Sequence, residues 1–174
     1  LLVSSSLSTS INILIERCHA VRNTATAFGG GIRIDNSYVE LESCYTLDNT
    51  VTSGSGGGIA LTGMSTVTMS YCAGAGNTAS ATGGGIYCVL ENSPTLYSTY
   101  ICGNSAGSHG GGLFLSEMCS PMVDKCLISG NEATGSGAGG GLYLYNGGGE
   151  YKNTVISGNT AAVNGGGISC DGSW

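Results

Sequence analysis

Gly83-Gly84-Gly85-Ile86 decides the fold, because the same word recurs at even intervals along the chain. It reads Gly29-Gly30-Gly31-Ile32, Gly56-Gly57-Gly58-Ile59, Gly110-Gly111-Gly112-Leu113, Gly139-Gly140-Gly141-Leu142 and Gly165-Gly166-Gly167-Ile168 elsewhere. The first glycines stand at 29, 56, 83, 110, 139 and 165, so the intervals are 27, 27, 27, 29 and 26 residues. Self-similarity at a fixed period in this range marks a solenoid, a propeller or an array.

A second marker follows each triplet by about 20 residues: Asn49, Asn77, Asn104, Asn131 and Asn159, with Asn23 preceding the first triplet. The words at the Asn align without gaps, from Asn23-Thr24-Ala25-Thr26 to Asn159-Thr160-Ala161-Ala162. Between the markers apolar residues alternate with a period of two. Ile32/Ile34, Ile59/Leu61, Ile86/Cys88, Leu113/Leu115, Leu142/Leu144 and Ile168/Cys170 each bracket one residue, the pattern of a strand with one buried face. Counting back from each Asn gives a second alternating run, with Ile13/Ile15, Val39/Leu41 and Val67/Met69 as its clearest members. Two or three short strands per period follow, and no stretch carries helical periodicity.

That pattern predicts an all-β parallel β-helix of about six coils, ~27 residues per coil, without internal caps. Coils are expected near 1–28, 29–55, 56–82, 83–109, 110–138 and 139–164, with the start of the next at 165–174. A propeller blade needs roughly 40 residues, and a leucine-rich repeat needs its leucine word. The segment 1–174 reads as one domain excerpted from a longer chain. Composition agrees: 32 of 174 residues are Gly, 9% are charged and 41% hydrophobic. Glycine at that density disfavours helices, and the hydrophobic content disfavours disorder. With five Lys and Arg and a net charge of −6, the chain lacks the basic footprint of a nucleic-acid binder. No apolar run reaches the roughly 18 residues of a membrane helix.

Stacked coils turn each repeated position into a column. Asn23, Asn49, Asn77, Asn104, Asn131 and Asn159 are expected to form an amide ladder that satisfies buried turn amides. The glycines are expected to supply positive φ at a corner and close approach between coils. Calcium-binding nonapeptides would put an aspartate in every coil, whereas only Asp35 and Asp171 follow a triplet. Cys18, Cys44, Cys72 and Cys126 share one inward column in which Thr99 and Thr154 also stand; Cys88 and Cys170 share another. A ladder of core thiols and a disulfide between neighbours both remain open, with Cys102 and Cys119 off the main columns. No cysteine or histidine spacing suits a metal, and no cofactor is expected.

Two outward columns are candidate surfaces. Tyr87, Phe114 and Tyr143 follow Arg33 and Ala60 on the triplet strand, with Tyr145 two positions on; they either dock a glycan or partner, or simply stack across strands. Thr24, Thr50, Thr78, Ser105, Glu132 and Thr160 form a Thr-rich column that resembles an ice-binding face, interrupted by Glu132.

The triplet-aliphatic word with its hydrophobic-x-x-Asn-x-Ala partner resembles the repeat of polymorphic outer membrane proteins, across nearly all of residues 11–170. The third triplet position is Gly here, where that family has Ala, and its Phe position is never Phe. The resemblance implies a pectin-lyase-like, right-handed helix and a cell-surface adhesive or scaffolding stalk.

Many parallel β-helices process acidic polysaccharides, using clustered carboxylates. The acids here are Glu16, Asp35, Glu40, Glu42, Asp48, Glu91, Glu117, Asp124, Glu132, Glu150 and Asp171. Glu16 and Glu42 stack on one outward column, with Asp124 further along it, and form no recognisable triad. The expectation is a non-catalytic, extracellular structural or adhesive module, a rod for scaffolding or filament assembly. Its partners would be other copies, other extracellular proteins or glycans. Carbohydrate binding or processing, and ice binding, are the alternatives.

Overall fold

A computed structural model describes residues 1–4, 12–116 and 118–172. The chain winds into a parallel β-solenoid with four sheets running along it, one more than alternation alone indicates. The triplet strands form sheet 1, seven strands from Leu2–Ser4 through Ile32–Asp35 and Ile86–Cys88 to Ile168–Asp171. Sheet 2 runs from Asn12–Glu16 to Glu150–Lys152, and sheet 3 from His19–Val21 to Val155–Ser157. Sheet 4 consists of two-residue strands from Thr24–Ala25 to Thr160–Ala161, directly after the Asn markers. Two residues are too few to show a period of two, so these strands are invisible to pattern reading.

Every strand pairs in parallel with its counterpart one coil away, so Ile32, Ile59, Ile86, Leu113, Leu142 and Ile168 are mutual register partners. Residues alternate more and less buried along most strands, as Tyr38–Glu42 shows, while Ile59–Thr62 is buried throughout. The inward set makes one core in which Ile34, Leu61, Leu115, Ile101, Ile128 and Leu142 are fully buried.

Corners hold the coil closed. Between sheets 4 and 1, the first glycine of each triplet takes φ between +57° and +74°, a conformation costly for any side chain. The second glycine approaches the next coil: a Cβ at Gly57 would lie 2.4 Å from the Gly84 carbonyl oxygen. The third faces the Asn of its own coil, a Cβ at Gly58 falling 2.9 Å from Asn77 Nδ2. The third glycine and the Asn, eighteen or nineteen positions apart in sequence, therefore meet across the coil interior, which is why the two words recur together.

Candidate functional site

The aromatic column lies on the outer face of sheet 1, where Arg33, Ala60, Tyr87, Phe114, Tyr143 and Ser169 are successive register partners. Tyr87 stacks on Phe114 at 5.5 Å between ring centroids, and Phe114 on Tyr143 at 5.6 Å, with planes within 16° and 13° of parallel. Each such pair contributes about 0.5–1.5 kcal/mol beyond area burial. Two rings extend the stack from a column that pattern reading missed, the residue immediately before each triplet. Phe28 lies across the small Ala60 and stacks on Tyr87 at 5.9 Å, leaving Ala60 wholly buried although it points outward. His109 stacks on Tyr143 at 4.4 Å, while its Nδ1 accepts a hydrogen bond from the Ala138 N–H at 3.1 Å. The Arg33 guanidinium carbon sits 5.6 Å above Phe28 at one end.

This geometry divides the four named aromatics. Phe114 spends both ring faces on its neighbours, and Tyr143 is buried, its hydroxyl bonded to Asp171 Oδ2 at 3.3 Å. Burial and the nearby Asp171 carboxylate push the Tyr143 phenol up from its ordinary pKa. Tyr145 pairs in register with Ser116 and Asp171 and is 45% exposed, so it is the most accessible of the set.

A second uncharged face, also unread in the sequence, covers sheet 3. His19, Tyr45, Ala73, Tyr100, Leu127 and Val155 form one outward column, and His19 meets Tyr45 edge-on at 4.6 Å. Its members stand four residues before each Asn, but a column mixing Ala, Tyr and Leu carries no common word.

Five carboxylates, those of Glu16, Glu40, Glu42, Asp124 and Glu150, sit on sheet 2. Glu16, Glu42, Ser70, Tyr97 and Asp124 are register partners, so Glu16 and Glu42 are one rung apart and Asp124 three rungs beyond Glu42, roughly 14 Å at the usual strand spacing. Arg17, at a bend with φ of 52°, turns its Nε back to Glu16 Oε1 at 2.8 Å. Glu40 accepts from Asn12 at 2.9 Å and Asp124 from Asn153 at 2.8 Å. Glu16 and Glu42 are both exposed on the outer face of sheet 2. Glu117 lies outside the described residues. Among the described residues no three His, Cys, Asp or Glu side chains gather into a metal site. The Thr-rich column is in register on sheet 4, with Glu132 between Ser105 and Thr160.

The internal ladders are fully built. Asn77 Nδ2 donates to Asn104 Oδ1 at 2.9 Å and to the Thr46 carbonyl at 2.8 Å, and its Oδ1 accepts from the Asn49 backbone N–H and side-chain amide at 3.0 and 2.9 Å. The same bonds link Asn23 through Asn159. In the Cys/Thr column, Cys44, Cys72 and Cys126 are buried and donate to the carbonyl two residues back, at 3.4, 3.3 and 3.3 Å. Thr99 and Thr154 make the same bond at 3.1 and 2.9 Å, and Cys18, though exposed, at 3.3 Å. The thiols of this column point at backbone, not at one another.

A family model described as a right-handed beta helix region matches residues 8–173, nearly the whole chain. The chain belongs to the right-handed β-helix family. No curated protein and no solved structure matches it. Right-handed β-helices include pectin-lyase-like enzymes as well as proteins without catalysis, so the family settles the winding and leaves the role to the faces just described. In this β-helix those faces are aromatic on sheet 1, acidic but dispersed on sheet 2, and uncharged on sheet 3.

Proposed function

We propose that the chain is a non-catalytic, extracellular structural module: a stiff rod that presents its outer columns to other copies, other extracellular proteins or glycans. The observation that carries this reading is that one set of side-chain contacts repeats on rung after rung, most plainly in the Asn ladder from Asn23 to Asn159. Uniform rungs favour stiffness along the axis. Sparse charge, 9% of residues, leaves little electrostatic repulsion between neighbouring rods.

On this reading Tyr145 belongs to the contact surface, while Phe114 is a stabilising stack. Tyr145→Ser should weaken adhesion to a partner-coated or glycan-coated surface several-fold with an unchanged melting temperature; Phe114→Ser should lower the melting temperature. The decisive test is incubation of the intact protein with acidic polysaccharides. No new reducing or unsaturated ends should appear, and turnover that vanishes in Glu42→Gln would overturn the proposal.

A further inference from the structure

The eight cysteines fall into distinct surroundings, and one pair stands apart. Cys88 and Cys119 bring their sulfurs to 3.2 Å, both with no solvent exposure. Elsewhere the thiols face other groups: the corner column bonds backbone carbonyls, and Cys102 meets Ser129 Oγ at 3.3 Å.

We propose that Cys88 and Cys119 form a cross-linking site, closing to a disulfide that ties coil 83–109 to coil 110–138. Neighbours within a column cannot do this well, because in-register parallel strands aim their Cβ vectors alike. Cys119 escapes that limit. It stands outside every strand, in the turn after Leu113–Ser116, and approaches from a direction no register partner of Cys88 has. The separation is 31 residues, whereas the register partner of Cys88 is Leu115, 27 positions on. Both ends are held in place: Cys88 is a strand residue, and the Cys119 carbonyl accepts from the Gly148 N–H at 3.0 Å. Closing to a bond of about 2 Å needs roughly 1 Å of combined sulfur movement, within reach of small χ1 adjustments.

The chemistry is thiol–disulfide exchange with a small disulfide such as oxidised glutathione. The Cys119 thiolate attacks one reagent sulfur, and the first glutathione leaves as a thiol. Cys88 then gives up its proton and attacks the Cys119 sulfur, expelling the second glutathione. Two cysteine thiols are oxidised and one reagent disulfide is reduced to two thiols. The hydrogen bond to Cys119, together with burial, pushes the Cys88 thiol far up from its ordinary pKa. Thiolate is the attacking species, so exchange is slow in the finished fold and accompanies folding instead.

The test is to refold the reduced, denatured full chain in a mixture of reduced and oxidised glutathione, then denature it and alkylate with iodoacetamide. Before alkylation the mass should be two hydrogens below that of the reduced chain; afterwards six of the eight cysteines should be alkylated, and peptide mapping should find Cys88 joined to Cys119. The melting temperature should rise by about 10 °C over the reduced protein, from the loop-closure effect of a cross-link of this span. Cys88→Val, which suits an aliphatic column containing Leu61 and Leu115, should leave all seven remaining thiols alkylatable and melting insensitive to oxidant. Eight alkylated cysteines after oxidative refolding, or a cross-link between any other pair, would overturn the proposal.

Discussion

Two internal columns run the length of the rod, and they tolerate variation differently. The Asn column is the same residue on six successive rungs, whereas the corner column alternates Cys, Cys, Cys, Thr, Cys, Thr. Hydrogen-bond inventory explains the contrast. An interior Asn must accept from the backbone and amide of one neighbouring rung while donating to the other, and only a side chain with both an acceptor and two donors fits. The corner residue supplies one donor to a carbonyl two residues back, which S–H and O–H do equally in kind. Sequence strictness within a solenoid therefore counts the bonds that a position must make.

The largest effect should come from breaking the strict column. Asn77→Ala leaves the Asn49 backbone N–H without its partner and takes a donor each from the Thr46 carbonyl and from Asn104 Oδ1, which keeps the backbone N–H of residue 77, and Asn77 is fully buried. At about 1–3 kcal/mol for the orphaned N–H and about 1 kcal/mol for each of the other lost bonds, a loss of about 4 kcal/mol in denaturant unfolding is expected. A change under about 1 kcal/mol would mean that the ladder merely accompanies the winding.

The tolerant column has its own signature, in pH. Burial pushes the Cys72 thiol up to about 11 from an ordinary 9.0, and raises Cys44 and Cys126 as well. A raised acid pKa means that the folded state holds its proton longer than the unfolded chain. The stability from these thiols is thus complete below pH 9 and declines as pH rises from 9 towards about 11. Replacing Cys44, Cys72 and Cys126 together by Thr, the residue already used at Thr99 and Thr154, should flatten that decline relative to the unaltered chain. An identical alkaline slope in both proteins would show that these thiols ionise freely in the fold.

How much of this was legible depends on whether a residue sits on a register whose chemistry repeats. Asn77, Cys72, Ile86 and Tyr87 repeat at the coil period, so their columns, inward or outward sense and neighbours follow from counting. Phe28 and His109 stand on a register too, the residue before each triplet, but that column reads Phe28, Ser55, Thr82, His109, Ala138, Asn164, so no shared chemistry marks it. Cys119 meets Cys88 from a turn that belongs to no shared column. The two-residue strands of sheet 4 escaped because alternation needs more length than Thr78–Ala79 provides. Chemistry at corners is where column counting ends.

The finest distinction is between two buried threonines from different inward columns. Thr99 and Thr46 are each 2% exposed and point inward, yet Thr99 Oγ1 donates to the Tyr97 carbonyl at 3.1 Å while Thr46 Oγ1 has no partner. Thr46 belongs to the inward column of sheet 3, opposite Ala20 and Gly74, where no bent-back carbonyl is within reach of its hydroxyl. Thr99→Val removes a made bond and should cost about 1 kcal/mol; Thr46→Val removes only the penalty of a buried, unbonded hydroxyl and should be neutral or slightly stabilising. Equal losses at both sites would mean that threonine matters in this core for its shape. A loss at Thr99 alone would tie the corner column's freedom to exchange Cys and Thr to a single donated hydrogen.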